Sequence, residues 1–498
     1  MRTNPHRTAA LLLVALLTAV STTLALVPAN AEEPAAPPVS LPAQASPQAV
    51  LATAERVLEG EAAADDPEPT MALLALRRVL EQLPAGEQKR ASALLARPGE
   101  TTGSPTSART AGAAAICGEE LCLRYVRDVR SAHYATDAWA QHTFEVLQQV
   151  WGTVVDEMGY RAPRPDTEPA GDDRLDVYLR DIGQDYYGYC NADSGAKRTS
   201  GHCVLDNDYA EFADRDGSLR ATAAHEFFHV VQYAYDSYED PWFMESSATW
   251  MEEQVFDEVD DNHQYLRSSQ IHQAHVPLDT FGHSLQYGNW VYLEHLTTRF
   301  GDPLVRRAWQ LAGARKYSLT ALRKALVEQG AGFAPTYARF AGANTHPATA
   351  YPEGAAYGRP RPDRKVRLSA GSRRASGVVR IDHLAARTWR VLPDSALTRP
   401  AWRLRVAVDG PGRRAAPQLA VTVLRPDGST AARVVKLNRR GRGSTVVPFS
   451  SRRVKDVSVT PVNASTRYRC RRGTNYACEG VSRDDGRRFT LRLRAFRR

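Results

Sequence analysis

The stretch Ala223–Gln232, which runs AAHEFFHVVQ, decides how the rest of the sequence is interpreted. His225 and His229 are four residues apart, so a helix places them one above the other on the same face. Glu226 follows the first histidine directly and is rotated from it by about 100° around the helix axis. The neighbouring residues are apolar, which predicts a buried helix. Buried ionisable side chains need partners, because unpaired burial is costly.

This helix predicts a metal site, with Zn²⁺ as the expected cofactor. Both imidazoles can reach one ion, and Glu226 beside it can accept a proton from a water that zinc has acidified to a pKa of about 7. The alternative is a helix whose two histidines are satisfied by ordinary hydrogen bonds. The apolar surroundings and the signs of export described below favour the metal.

A catalytic zinc site requires a third protein ligand. Glu245 lies sixteen residues after His229, within the apolar helical run Trp242–Glu253, and we predict it as that ligand. Glu252 is seven residues further on and shares the face of Glu245, so it could hydrogen-bond a ligating histidine. For Glu252 and Glu253, however, we favour a solvated helix edge.

The pattern HExxH followed by a glutamate in a WxxExxA setting resembles the gluzincin metallopeptidases, the thermolysin-like and aminopeptidase-like clan. Metzincins instead carry a third histidine six residues after the second, where this chain has Tyr235. The resemblance extends over about residues 120–345. It implies an α+β zincin-like fold, zinc bound by the two histidines and Glu245, and Glu226 as the general base.

A second likeness lies downstream. The segment Tyr287–Leu296 resembles the helix that opens with a tyrosine in aminopeptidase-like gluzincins, which implies that the Tyr287 hydroxyl stabilises the oxyanion. His283 is the competing donor. Two features depart from the pattern: Thr249 stands where thermolysin-like members have an aspartate, and no GxMEN segment for gripping a substrate N-terminus is present.

The chain begins with features of a signal peptide. A basic start precedes the apolar run Ala9–Val27, and residues 29–31 form a small-x-small cleavage site. Residues 1–31 therefore predict a secreted protein, with a membrane anchor as the alternative. We expect no transmembrane anchor, because Thr and Ser interrupt the run and no later segment is long and apolar enough.

Residues 32–115 predict a helical propeptide and linker, or else a small domain that is never removed. Helical patterns cover Pro47–Glu59, Thr70–Leu83 and Glu87–Leu95, and residues 101–115 are rich in Gly, Ser, Thr and Ala.

Residues 116–350 predict the zincin-like metallopeptidase domain. We expect a helix over Asp137–Met158, a loop over Tyr186–Leu205 that Cys190 and Cys203 could tie, and an N-cap at Ser218.

After a Pro/Arg-rich linker over Tyr351–Lys365, the hydrophobic period changes to two. Seven or so short strands within residues 366–498 predict an all-β sandwich that is jelly-roll-like.

The cysteine count and the net charge indicate the compartment of the protein and the partners that it could bind. The six cysteines fall into three close pairs; six allow 15 connectivities, but an even number in an exported chain favours disulfides. The net charge is +8, and arginine is dense after Tyr357. A basic C-terminal domain could bind an anionic cell-wall polymer, with solvated surface charge as the equal alternative; we expect no nucleic acid.

Three oxygen-rich loops lack full EF-hand spacing, so we interpret them as polar turns, with Ca²⁺ binding as the alternative: Asp206–Asp208, Asp214–Gly217 and Asp257–Asn262.

The sequence thus predicts a secreted zinc-dependent endopeptidase that acts on protein or peptide substrates. One alternative is a non-catalytic secreted binding protein with a structural zinc site. Another is a metallohydrolase acting on something other than peptides. The intact Glu226 argues against the structural-zinc alternative, because a structural site needs no base there.

Overall fold

The computed structural model describes residues 45–63, 66–99, 113–166, 172–183, 186–314 and 316–498. The predicted signal peptide and most of the predicted linker lie outside these residues. The first elements are three helices at the predicted places, with Pro at the start of the first two: α1 (Pro47–Leu58), α2 (Pro69–Val79) and α3 (Ala85–Leu94). The Ser46 hydroxyl caps α1 and the Glu68 carboxylate caps α2.

A five-stranded sheet follows, in the order β1-β2-β3-β5-β4. Its strands are β1 (Ala113–Cys117), β2 (Leu121–Val126), β3 (Leu175–Arg180), β4 (Gly188–Ala192) and β5 (Gly201–Asp206). The central pairs β2–β3 and β3–β5 are parallel, whereas β4 runs antiparallel to β5 and forms one edge. The last residues of the predicted linker, from Ala113 onward, belong to β1.

The expected loop over Tyr186–Leu205 is wrong, because half of this segment forms the β4–β5 pair. Both strands are almost fully buried, and pairing satisfies backbone groups that a buried loop would leave without partners. Cys190 and Cys203 face each other in the ladder and form a disulfide, and Cys117–Cys122 and Cys470–Cys478 are the other two. All six cysteines are therefore in the local pairs.

Helices dominate residues 137–343. They are α4 (Asp137–Trp151), α5 (Arg215–Tyr233), α6 (Pro241–Val255), α7 (Leu285–Gly288), α8 (Trp290–Phe300), α9 (Pro303–Ala312), α10 (Ser318–Glu328) and α11 (Phe333–Ala343). The helix expected over Asp137–Met158 is present, but its last part, Gly152–Glu157, widens into a π-helix. No helix among the described residues is long and apolar enough to cross a membrane.

The C-terminal part is an all-β sandwich of two main sheets, in the orders β13-β10-β17-β7 and β12-β11-β14-β9-β6. Its strands are β6 (Arg364–Leu368), β7 (Arg374–Ile381), β8 (Ala385–Ala386), β9 (Trp389–Pro393), β10 (Trp402–Asp409), β11 (Pro417–Leu424), β12 (Thr430–Val434), β13 (Arg442–Pro448), β14 (Asp456–Asn463), β15 (Tyr468–Arg469), β16 (Val481–Ser482) and β17 (Arg487–Arg497). The seven predicted strands are present. Five strands were not predicted, because alternation in such short segments is weak: β8, β9, β15, β16 and β6, which begins inside the predicted linker.

A buried histidine ties the sandwich to the helices. His383, in the loop after β7, contacts Asp279 from the helical part through Nε2 at 3.0 Å and Asp485 through Nδ1 at 2.5 Å. The Tyr468 hydroxyl donates to Asp279 at 2.6 Å. Burial acts to lower the pKa of His383, but the two carboxylates outweigh it, Asp279 foremost, and raise the pKa to about 10. The contacts with Asp279 and Asp485 therefore stabilise the protonated form of His383.

We predict that Asp279→Asn destabilises the chain by about 3–5 kcal/mol at pH 6, because it leaves a buried cation without its main partner. His383 has a folded pKa of about 10, above its unfolded value of about 6.5, so its contribution is complete below pH 6.5 and is lost as pH rises through 10. Urea unfolding at pH 6 and pH 10 measures this: the difference from wild type shrinks at pH 10. An equal difference at both pH values contradicts the assignment. Asp427→Asn, on an exposed turn, is the control.

Candidate metal centre

Two helices that are buried on nearly all sides carry the predicted metal ligands. In α5 every residue from Gly217 to Tyr233 except Arg220 is buried, and in α6 the same is true from Trp242 to Glu253. Apolar side chains on several sides of these helices, such as Phe227, Phe228 and Trp250, keep them inside the protein. The N-cap of α5 is Asp214, which accepts from the Gly217 N–H at 3.0 Å, so the predicted cap at Ser218 is wrong. Asp214 precedes Ser218 in the chain, and the helix already begins after Asp214, so Ser218 lies within its first turn.

The structure brings the three predicted ligands together. Nε2 of His225 lies 3.3 Å from one carboxylate oxygen of Glu245, and Nε2 of His229 lies 3.6 Å from the other. Glu226 is part of the same group: a ligand atom from each of His225, Glu226 and His229 lies within 4.8 Å of the others. The Glu245 side chain is fully buried. Two imidazole nitrogens and one carboxylate therefore converge on one buried point.

The remaining ring nitrogens explain why the Nε2 atoms face that point. Nδ1 of His225 contacts Glu252 at 2.6 Å, and Nδ1 of His229 contacts the Gln232 side-chain oxygen at 2.9 Å. Gln232 is itself oriented, because its amide donates to the Met244 carbonyl at 2.9 Å. Such contacts fix the tautomer and the ring orientation of metal-ligating histidines.

The donor set fits a divalent cation of the zinc type. Nε2 of His229 and one oxygen of Glu245 are buried and have no hydrogen-bond partner, which is costly unless something else binds them. Burial, followed by the positive charge of His225, holds the pKa of His229 well below its usual range, which leaves the His229 imidazole neutral. Burial also acts to lower the pKa of His225, but Glu245 and Glu252 outweigh it and raise that pKa, so a metal bound by both rings would have to displace the His225 proton. Two histidines and one carboxylate are a known ligand set of catalytic zinc.

Glu252 and Glu253 do not form a solvated helix edge: both are buried, at 6% and 7% exposure. Glu252 orients His225, whereas Glu253 accepts a hydrogen bond from Asn262 at 2.6 Å instead. Thr249, which replaces the aspartate of the thermolysin-like pattern, is buried and its hydroxyl makes no hydrogen bond. Gln232 and Glu252 together occupy the orienting role that Thr249 leaves open.

The general-base candidate Glu226 meets a residue that the sequence did not suggest. The Thr70 hydroxyl, from the first turn of α2, donates to a Glu226 carboxylate oxygen at 3.0 Å. The same hydroxyl accepts from the Cys190 backbone N–H of the edge strand β4 at 2.9 Å. Burial raises the pKa of Glu226 to about 8, against the opposing effect of His225.

Glu68 is the second unexpected residue. Its carboxylate accepts from the Thr70 and Met71 N–H groups, at 2.7 and 2.6 Å, and lies within hydrogen-bonding reach of Glu245. Burial, with the Glu245 carboxylate next, raises the pKa of Glu68 to about 8. No sequence signal marks Glu68 or Thr70 as site residues, because they approach from more than 150 positions away in the chain.

Tyr287 lies beside the centre. It belongs to the short helix α7, and its ring centroid is 6.1 Å from that of His225 and 4.8 Å from that of Tyr265. The longer helix α8 starts only at Trp290, so Tyr287 precedes it instead of opening it. The Ser246 hydroxyl anchors α7 to α6 by donating to the Gln286 carbonyl at 2.5 Å. The competing donor, His283, is exposed in the turn before α7.

Two further groups of side chains could bind cations: Asp206, Asp208 and Glu211; and Glu253, His263 and Glu353. The first group includes two residues of a predicted oxygen-rich loop. Asp206, however, uses one carboxylate oxygen to accept from the backbone of Asp208 and Tyr209, at 3.1 and 2.5 Å, as a polar turn does. Calcium binding stays a prediction.

Comparisons with known proteins add little to this geometry. A family of unknown function (DUF6055) matches residues 141–342. No curated protein matches the chain. A solved pre-peptidase C-terminal domain of a collagenase from Bacillus anthracis is 9% identical, covers 27% of this chain and 98% of its own length, and has a TM-score of 0.16. A functionally unknown conserved protein from Bacillus anthracis str. Ames is 12% identical over 54% of this chain and 52% of its own, with a TM-score of 0.27. The chain thus spans about half of that protein.

Glu252→Gln tests the orientation of His225. Because the amide cannot stabilise the ring N–H as a carboxylate does, we expect the affinity for Zn²⁺ to fall about 10- to 100-fold. Competition with a chromophoric chelator measures the affinity. Glu253→Gln is the matched control, since it is the next residue, is equally buried and bonds Asn262 instead. Equal affinities in the two variants contradict the role of Glu252.

Proposed function

We propose that this chain is a secreted zinc-dependent endopeptidase. The observation that supports it best is the buried convergence of His225, His229 and Glu245 next to a carboxylate, Glu226, that is not needed to hold the metal. A structural zinc site is closed by four protein ligands, whereas a catalytic one keeps a position open and requires a base beside it. The alternative of a non-catalytic binding protein gives Glu226 no role.

In this proposal the residues divide the work of peptide hydrolysis. His225, His229 and Glu245 would hold the Zn²⁺, which would supply a water of lowered pKa and polarisation of the substrate carbonyl. Glu226 accepts the proton of the attacking water and then passes it to the leaving nitrogen. The Tyr287 hydroxyl donates a hydrogen bond to the oxyanion as the carbonyl becomes tetrahedral. The water adds its oxygen to the carbonyl carbon and a proton to the leaving nitrogen, so the hydrolysis needs no other reactant.

Export is part of the proposal. The three disulfides use all six cysteines, which is typical of chains that fold in an oxidising compartment. The N-terminal sequence carries the features of a signal peptide. We further propose that residues 32–115 are a propeptide, so that the enzyme is made as a zymogen. Its support is the contact of α2 with Glu226.

Glu226→Gln tests the proposed chemistry. The variant keeps the ligands, so it should bind one Zn²⁺ as wild type does, but we expect peptide hydrolysis to fall by about 10²–10⁴-fold because no base accepts the proton. Casein and peptide libraries serve as substrates, with and without a chelator, after limited proteolysis within residues 101–112, before β1. Undiminished cleavage by the variant contradicts the proposal. A wild-type protein that binds zinc but cleaves no peptide indicates a structural site or another substrate class.

A further inference from the structure

We propose that the outer face of the four-stranded sheet β13-β10-β17-β7 binds an extended cell-wall polymer with repeating phosphodiester groups. This inference goes beyond the proposed peptidase activity and shares with it only the export of the chain. It gives the C-terminal sandwich a partner of its own.

Strand register places eight arginines on this face. Residues that pair directly across two strands lie on the same side of a sheet, as do residues two apart on one strand. The apolar residues that alternate with the arginines, such as Val406, Leu491 and Leu493, belong to the core of the sandwich. The arginine face, as we name it, consists of Arg374, Arg380, Arg403, Arg405, Arg442, Arg488, Arg492 and Arg494. All of them are exposed except Arg403, which is half-buried.

Nearly all of this positive charge lacks a partner among the described residues. Asp409 is the only carboxylate in the four strands, all of which the structure describes, and it contacts Arg442 at 2.9 Å. The other seven arginines form no ion pair with a described residue. Arg374, Arg494 and Arg405 lie side by side on three neighbouring strands, and like charges in such positions are destabilising. A bound polyanion would offset this repulsion.

The two sheets of the sandwich differ in what covers them. The outer face of the sheet that contains β11 packs on α11, where the Thr422 hydroxyl donates to the Gly342 carbonyl at 3.2 Å. Ala420 and Thr422 are accordingly buried, although both point away from the core of the sandwich. The arginine face belongs to the other sheet, and no element of the described chain covers its exposed side chains. A long polymer can therefore lie across several strands at once.

The spacing and the residue type favour phosphodiester groups over carboxylates. Neighbouring strands are about 4.8 Å apart and alternate residues of one strand about 6.8 Å apart, so several guanidinium groups can reach one anionic group. The guanidinium fork binds both phosphate and carboxylate oxygens. A carboxylate is planar, and one fork can occupy both of its oxygens. The two free oxygens of a phosphodiester point in different directions, so they can accept from guanidinium groups of two strands.

Nucleic acid fits this face less well. Proteins that bind single strands stack the bases on aromatic side chains. Phe496 is the only aromatic residue of the four described strands on this face; it is half-buried, and the Arg405 guanidinium lies 5.9 Å from its ring centroid. Double-stranded DNA is read by an element that enters a groove, whereas the arginine face is the broad side of a sheet. A polymer without bases is the better match.

The test measures the binding of a fluorescently labelled poly(glycerol phosphate) chain to the full-length protein and to the triple variant Arg374→Gln/Arg405→Gln/Arg494→Gln. We expect wild type to bind and the variant to lose affinity about tenfold or more at about 0.1 M salt. Because three phosphate contacts are lost, the slope of the logarithm of the binding constant against the logarithm of the salt concentration should decrease by about two. No binding by wild type, or an unchanged affinity of the variant, overturns the proposal.

The control variant removes the same amount of charge elsewhere in the sandwich. It carries Arg367→Gln, Arg425→Gln and Arg433→Gln, which replace three exposed arginines on β6, on the turn after β11 and on β12. These residues belong to the other sheet, so the control should bind the polymer as wild type does. A loss equal to that of the triple variant shows attraction by net charge alone and overturns the assignment to the arginine face.

Competition separates the possible partners. Polyglutamate and a single-stranded oligonucleotide, each with the same number of charges as the labelled chain, should displace it about tenfold less well. Equal competition by polyglutamate overturns the preference for phosphodiester groups, and equal competition by the oligonucleotide assigns the face to nucleic acid instead. Binding of the polymer requires neither the metal nor Glu226, so Glu226→Gln should bind it as wild type does. A protein that binds the polymer but hydrolyses no peptide therefore contradicts the peptidase proposal and supports this one.

Discussion

The contacts at the two Nδ1 atoms are the constraint on which the metal centre depends. Glu252 and Gln232 hold the rings of His225 and His229 so that both Nε2 atoms face Glu245. Without these contacts each ring could rotate and satisfy its nitrogens locally. With them, one ring nitrogen and one carboxylate oxygen are left buried without a hydrogen-bond partner, a cost that a cation bound between them would offset. The apolar side chains that bury α5 and α6 pack the two helices against each other and so fix the distance between the candidate ligands.

The site is assembled from three directions. α5 and α6 supply the ligands, α7 places Tyr287 beside them, and α2 covers the remaining side. The sandwich contributes from further away: its joint at His383 holds the loop that contains Asp279, which lies shortly before α7. The sandwich therefore anchors the loop that leads into α7, the helix of Tyr287.

The sequence could predict the parts of the site that depend on local spacing. Two histidines at i and i+4 lie on one helix face in any context, and a glutamate on the next apolar helix is a natural third ligand. Gln232, three residues after His229, could have been found in the same way. The sequence predicts a solvated Glu252 because a carboxylate at a helix end usually is, whereas its burial and its contact with His225 depend on how α6 packs on α5.

Long-range contacts could not be predicted, because no periodicity encodes them. Glu68 and Thr70 read as ordinary N-terminal residues of a helix, and their meeting with Glu226 depends on how α2 packs on β4. The same holds for β4 itself, which looks like a loop until its partner β5 is known. Whether a short segment forms a strand depends on an adjacent strand that pairs with its backbone N–H and C=O groups.

The way in which α2 enters the site also explains why it would inhibit without being cleaved. A substrate must present an accessible carbonyl to the metal and to Glu226. The Glu68 carbonyl instead accepts from the Ala72 N–H at 3.0 Å, so it is turned into the helix. Pro69 has no N–H that could pair with an edge strand, and Thr70 meets Glu226 with its side chain and not with its backbone. A helix N-terminus thus offers the site a carboxylate and a hydroxyl, but no peptide bond in a reactive position.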